Sequence, residues 1–235
     1  MVGASFIGLE VAASLRQRGL EVDVLAPETV PLGRIMGPDL GRFIQRLHEA
    51  RGVRFHLGRS AEAWDAARLS IPDGGVLEAD CVILGVGVRP RLHLAEAAGL
   101  AVDRGVLVDR NMRTSAPGVF AAGDIARFPG PDGHPVRVEH WVAAERQGQA
   151  AALAMLGAPT GALGPPFFWS QHYDLAIRYV GYPADWDEAR IDGSLEARDA
   201  TVRYFRTGRL VAAASIGRDR ENLAMAASLS GEDAA

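Results

Sequence analysis

Residues 3–8, Gly3-Ala4-Ser5-Phe6-Ile7-Gly8, put a glycine at each end of a turn that runs into an apolar stretch of helical period. A first glycine lets the chain turn tightly, and a last one lets helix and strand approach closely. The helix N-terminus then offers free N–H groups and a positive dipole end to a phosphate. The middle position, where a further glycine would bring the backbone up to a pyrophosphate, holds Ser5. By itself the segment therefore reads equally as an anion-binding turn or as an ordinary strand-to-helix turn. Glu10 follows in the first helical turn, where the dipole alone favours an acid.

Other segments gather residues of chemical interest. Gly85-Val86-Gly87 closes an apolar run, and Gly123-Asp124 closes another. Glu139-His140-Trp141 and Phe167-Phe168-Trp169-Ser170-Gln171 concentrate aromatic rings, although Trp141 and Trp169 taken singly read as core residues and His140 as a satisfied loop histidine. Much chemistry is excluded. All 25 basic residues are arginine, so Schiff-base, pyridoxal-phosphate and P-loop lysine chemistry are absent from these residues. Cys81, the single cysteine, lies in an apolar run and is expected to be a buried strand thiol, and no redox-active pair can form within the chain. None of the six histidines stands at metal-ligand spacing, so no metal is assigned.

The elements that must position these residues follow from periodicity. Residues 3–19 predict a helix after the glycine turn, 21–26 a strand, a second helix from about Pro38 to before Gly52, and 53–57 a strand. This alternation predicts a parallel α/β sheet. Residues 60–80, with Pro72-Asp73-Gly74-Gly75, read as a small antiparallel meander, and 79–88 as a fully buried strand. Strands at 105–108 and 119–122 precede an Ala-rich helix over 141–156, and 157–166 reads as a linker. Beyond it, 175–182, 201–206 and 210–216 read as strands, the last two a hairpin across Thr207-Gly208, with a terminal helix from about Arg220. Three units result: 1–90, 91–158 and 159–235. No apolar run approaches the roughly 18 residues of a membrane span. A net charge of −4 without an arginine stripe argues against nucleic acid.

The segment from Gly3 to Glu10, with Gly85-Val86-Gly87-Val88-Arg89-Pro90 downstream, resembles the NADH domain of the FAD-dependent pyridine nucleotide-disulfide oxidoreductase superfamily. The stretch from Thr114 to Asp124 resembles that superfamily's second flavin motif. Glu139-His140-Trp141 and Phe167-Phe168-Trp169-Ser170-Gln171 are similar to its ferredoxin-reductase and apoptosis-inducing-factor-like branch. The resemblance implies an α/β fold with a Rossmann-like nicotinamide-binding domain over 1–90, part of a flavin-binding domain over 91–158 and a small α+β domain over 159–235. It implies FAD and NAD, with NADP possible, and hydride transfer followed by single-electron delivery to a ferredoxin-like or Rieske-type iron–sulfur protein. By the same resemblance Gly3, Ala4, Ser5, Phe6, Ile7, Gly8, Gly85, Val86 and Gly87 approach the nicotinamide coenzyme, and Glu10 faces the nicotinamide pocket. Gly123, Asp124, His140, Trp141 and Trp169 line the flavin side, with Glu10, Trp141 and Trp169 at the reacting centre.

Two features depart from the pattern. The superfamily's own FAD-binding turn and its half-domain do not precede Met1, so the chain is expected to be a fragment of a longer protein. The acid that usually ends the second strand and holds the ribose 2′-OH is replaced by Ala26, with Glu28 two residues beyond and Arg34 the nearest downstream arginine. NADH is expected over NADPH on that basis. Cytoplasm is the default location, because no secretory signal pattern is present. The rival readings are a non-catalytic NAD(H)-binding remnant and a redox interaction protein like apoptosis-inducing factor. The oligomeric state is open.

Overall fold

The computed structural model describes residues 1–65, 67–72, 75–130, 132–182 and 186–230. Helix α1 (Phe6–Gln17) leaves the glycine turn and leads to strand β1 (Val22–Ala26). Helix α2 (Gly33–Glu49) crosses back, and strand β2 (Val53–Leu57) pairs parallel with β1. Leu9, Ala12 and Ala13 form the buried stripe of α1, and Met36, Leu40, Phe43 and Ile44 that of α2. Their spacing at three and four residues aligns them on one helix face. α2 breaks at Gly37, which adopts φ 80°. Pro38 disfavours helical geometry in the residue before it, so the regular helix begins at Pro38 as the pattern predicts.

Val2 extends the parallel sheet, bridging Leu25 on one side and Leu84 on the other. The segment 79–88 departs from its expected form. It is an extended edge joined through Val2, with Val2 N donating to Ile83 O at 2.9 Å and Gly85 N to Val2 O at 2.7 Å. Leu84, Val86 and Val88 are exposed, and Cys81 is exposed rather than buried. A run with a neighbour on one side only leaves outward side chains without a covering layer, and composition cannot tell it from a central strand.

Strands β3 (Ala63–Trp64), β4 (Arg68–Ile71) and β5 (Gly75–Glu78) form the expected antiparallel meander. Its Leu69 and Ile71 pack on Val2 and Leu25. The expected turn at Asp73-Gly74 lies outside the described residues.

Helix α3 (His93–Ala97), strands β6 (Val106–Leu107), β7 (Ala126–Pro129) and β8 (Pro135–Val136) and helix α4 (Trp141–Met155) make the middle unit. The strand expected over 119–122 is absent, and Phe120 makes one bridge to Arg113. Ala121 N bonds Met112 O and Thr114 N bonds Val119 O, so this segment satisfies its backbone locally. Gly123, at φ 82°, then turns the chain into β7, which pairs with β6.

The last unit is an antiparallel sheet of β9 (Phe167–His172), β10 (Leu175–Gly181), β11 (Glu188–Ser194), β12 (Asp199–Arg206) and β13 (Arg209–Ile216), in the order β11-β12-β13-β10-β9. Helix α5 (Asp219–Ser230) follows. Thr207 and Gly208 both have positive φ, 50° and 77°, which gives the tight β12–β13 hairpin a twist matching its strands. β11 escapes a periodicity reading because every residue in it is exposed at the sheet edge. Leu175, Ile177, Tyr179, Val202 and Tyr204 of this sheet share one core with α1, α2, β1 and β2. Tyr204 secures the join by donating to Met36 O at 2.9 Å. This packing brings β9 against α1.

Candidate functional site

Three glycines meet at the first turn. A Cβ on Gly8 would stand 2.2 Å from Gly3 O, and one on Gly3 would stand 2.3 Å from Gly85 O. Backbone fills both places, so no side chain fits either. Gly3 also needs its positive φ of 105°. Ser5 is the N-cap residue of α1 but makes no capping bond to the helix, and its hydroxyl donates to Gly85 O at 3.2 Å. The N-terminal N–H groups of α1 are thus left without a side-chain cap, an arrangement able to hold a phosphate oxygen. Gly87, with φ 89°, has open space around it.

The other residues of this turn differ in placement. Ala4 is buried. Phe6 packs inward, edge to face on Phe168 with centroids 5.0 Å apart, whereas Ile7 and Val86 are exposed. At the end of β1, Ala26 is buried, its carbonyl accepting from Arg59 N at 3.0 Å, and exposed Glu28 accepts through its carbonyl from Gly58 N at 3.0 Å. Arg59 therefore adjoins the end of β1, which spacing alone missed, because parallel pairing brings the exits of β1 and β2 together. Arg34 is exposed on α2.

An aromatic surface stands at the start of α4. Trp141 and Trp169 pack edge to face with centroids 5.6 Å apart, yet remain 59% and 42% exposed. They are not core residues. His140 lies between them and Phe168, with centroids 6.1 Å from Trp141, 6.0 Å from Trp169 and 5.5 Å from Phe168. Its Nδ1 accepts from Val142 N at 3.3 Å, so it caps α4. Burial lowers its pKa, opposed by the negative charges of Asp124 and Glu10. Gly123 N donates to Gln147 Oε1 at 2.8 Å, fixing the turn before Asp124 on α4. Asp124 is exposed, and its carbonyl accepts from Arg137 at 3.0 Å. An exposed carboxylate beside open aromatic faces suits a planar ring carrying a hydroxylated chain.

Glu10 joins the two halves. Its Oε1 accepts from Ser170 Oγ at 2.7 Å and from Gln171 N at 2.9 Å, tying α1 to the strand that carries Trp169. Sequence reasoning did not single out Gln147, Ser170, His48 or His172 as site residues. The signal was a polar residue on an otherwise buried face: Gln147 among the alanines of α4, and His48 on the stripe of α2.

Comparison with known proteins bears on this arrangement. The pyridine nucleotide-disulphide oxidoreductase family profile matches residues 1–148, and a reductase C-terminal profile matches residues 167–233. The ferredoxin–NAD(+) reductase component of the anthranilate 1,2-dioxygenase system of Burkholderia cepacia is 37% identical over 227 residues, covering 94% of this chain and 56% of that protein. A putidaredoxin reductase, solved in covalent complex with putidaredoxin, superposes with TM-score 0.93 at 31% identity, over 98% of this chain and 57% of that one. The ferredoxin reductase of the CYP199A2 system of Rhodopseudomonas palustris does so with TM-score 0.86 at 33% identity, over 94% and 56%. The chain thus spans little more than half the length of these relatives.

Proposed function

Since this chain belongs to the pyridine nucleotide-disulphide oxidoreductase family, we propose that it forms the nicotinamide-binding and C-terminal part of an FAD-dependent NAD(P)H oxidoreductase that passes electrons singly to a ferredoxin-like or Rieske-type iron–sulfur protein. The units are 1–90 for the nicotinamide coenzyme, 91–158 for one side of the flavin site and 159–235 for the cover over it. The observation that carries the reading is the bond pair from Glu10 to Ser170 and Gln171, which unites the glycine turn and the aromatic surface in one site.

Each residue has a task in this reading. The uncapped N–H groups after Gly3, Ala4 and Ser5 hold the coenzyme pyrophosphate, with Gly8, Gly85, Val86 and Gly87 keeping its approach open. Phe6 and Ile7 set the helix start, the first by packing inward. Glu28 approaches the ribose, and NADH is preferred over NADPH by a modest margin. Asp124 accepts hydrogen bonds from ribityl hydroxyls, Gly123 admits the chain beside it, and His140 fixes the start of α4. Trp141 and Trp169, packed on each other, would line one wall of the flavin site and exclude water, while the Glu10 carboxylate, held by two donors, would orient the nicotinamide. FAD, when bound, supplies the step between two-electron and one-electron chemistry. The location is cytoplasmic, and the net charge of −4 is unsuited to nucleic acid.

The test pairs NADH titration of this chain with FAD reconstitution of the longest natural chain that contains it. NADH binding that vanishes in Gly8→Leu, together with NADH-driven ferredoxin reduction, is expected. Ferredoxin that stays oxidised in the FAD-loaded protein would remove the proposal.

A further inference from the structure

The hydrogen bonds on Glu10 continue into the protein as one directed series. Ser170 has a single hydroxyl proton, and it points to Glu10 Oε1 at 2.7 Å. Its oxygen has only lone pairs left for His172 Nε2 at 3.1 Å, so that nitrogen carries hydrogen. In a neutral ring Nδ1 is then bare, and it accepts from His48 Nε2 at 3.1 Å. His48 Nδ1 is bare in turn and faces the Tyr173 hydroxyl at 3.4 Å. Four donors in series point towards one carboxylate.

His48 and His172 are both fully buried. Burial pushes His172 down to about 4 and His48 to about 3, the second held lower still by the neighbouring His172 ring and the Arg51 charge. The surroundings of the series are defined. Phe55 of β2 packs on His48, the Arg51 guanidinium lies 4.7 Å from the Tyr173 ring centroid, and Asp174 accepts from Arg51 at 2.9 Å outside it. Glu10 faces Ser170 and Gln171, and it lies near the imidazole of His140, which the charge of Asp124 also reaches.

We propose that Ser170, His172, His48 and Tyr173 form a tautomeric relay that exchanges the proton of Glu10 with the far side of the α2–β9 contact, neither imidazole becoming charged. On protonation the Ser170 O–H bond breaks as the Glu10 O–H bond forms. The His172 Nε2 proton passes to Ser170, the His48 Nε2 proton to His172 Nδ1, and the Tyr173 proton to His48 Nδ1. Tyr173 takes a proton from hydronium as it gives its own to His48, although burial raises its pKa. One proton enters at Tyr173, one appears on Glu10, both rings change from Nε2–H to Nδ1–H, and no electrons move. The reverse shift discharges Glu10. The use of this exchange rests on the function proposed above: NADH and two one-electron acceptors give NAD+, two reduced acceptors and one proton, which must leave the site.

The experiment is nitrogen-15 NMR of the histidine rings in the whole chain, with the Glu10 carboxyl carbon followed as pH is lowered. Both rings are expected as Nε2–H while Glu10 is ionised, and both as Nδ1–H once it is protonated. Glu10→Gln keeps an accepting oxygen at all pH, so both rings should stay Nε2–H. Tyr173→Phe leaves the Nδ1–H form of His48 a buried donor without partner, so the switch should be lost there too. Rings that hold Nε2–H while wild-type Glu10 gains its proton would overturn the relay. So would an imidazolium on either ring before that point, or a Tyr173→Phe protein that switches like wild type. NADH titration of the same samples separates the two ideas. A lost coenzyme site with an intact switch sinks the functional reading alone, and bound NADH with fixed tautomers sinks the relay alone.

Discussion

At the scale of single residues, the glycine turn is the most exacting feature. Gly8→Leu would drive a side chain into Gly3 O, since the Cβ alone falls 2.2 Å from it. We expect a folded variant, checked by circular dichroism, that has lost NADH binding in fluorescence titration. An unchanged Kd in a folded protein would refute the anion-binding role of the turn. Coenzyme choice is a subtler matter, because Ala26 has no polar group and Glu28 is exposed two residues on. One charged hydrogen bond to a ribose hydroxyl is worth about 1.5 kcal/mol, or roughly tenfold in Kd. Glu28→Ala should therefore reduce the NADH preference by up to about tenfold, read from parallel NADH and NADPH titrations. A preference that Glu28→Ala leaves untouched would assign the choice to another residue, with Arg59 the next to replace.

At the scale of elements, α2 is held on β9 through two buried neutral rings. In the unfolded chain a histidine titrates near the ordinary value of about 6.5, whereas the folded protein holds His172 at about 4 and His48 at about 3. As pH falls below the unfolded value, the unfolded chain takes up protons that the folded chain refuses. Stability is thus full above about pH 6.5 and declines as pH falls, down to about pH 4 for His172 and about pH 3 for His48, by at most about 1.4 kcal/mol per pH unit for each ring. Urea midpoints should drop over this window in wild type and drop less steeply in His48→Gln. Parallel slopes in the two proteins would show that His48 does not contribute. β9 itself was named in the sequence only for its aromatic residues. Its alternation sets Ser170 and His172 on one face and Trp169 on the other, but that register acquires meaning only once α1 and α2 pack against it.

At the scale of the whole molecule, the proposed function predicts single-electron transfer in preference to disulfide reduction. The chain has one cysteine, Cys81, which is exposed on an edge segment. The rings of Trp141 and Trp169 occupy the open surface at the start of α4. In the longest natural chain that contains these residues, loaded with FAD, NADH should reduce ferredoxin at a rate well above that for glutathione, lipoamide or thioredoxin disulfides. Efficient disulfide turnover without ferredoxin reduction would reverse the assignment.

What the sequence determined by itself was local. The apolar stripes fixed α1, α2 and α4, short strand-forming runs marked β10, β12 and β13, and the glycines marked the turns, because each of these is a matter of backbone preference and burial within a short window. The family motifs at residues 3–10, 114–124 and 167–171 were likewise legible as local patterns. Tertiary structure decided what depends on neighbours distant along the chain. It left residues 79–88 and Cys81 at an uncovered edge, set the strand that pairs with β6 at Ala126–Pro129 with none over 119–122, and brought Arg59 beside Ala26. It also joined Glu10 to His48 through Ser170 and His172, since a hydrogen-bond series between residues 10, 48, 170 and 172 exists only when two helices and a strand bury their polar faces against one another.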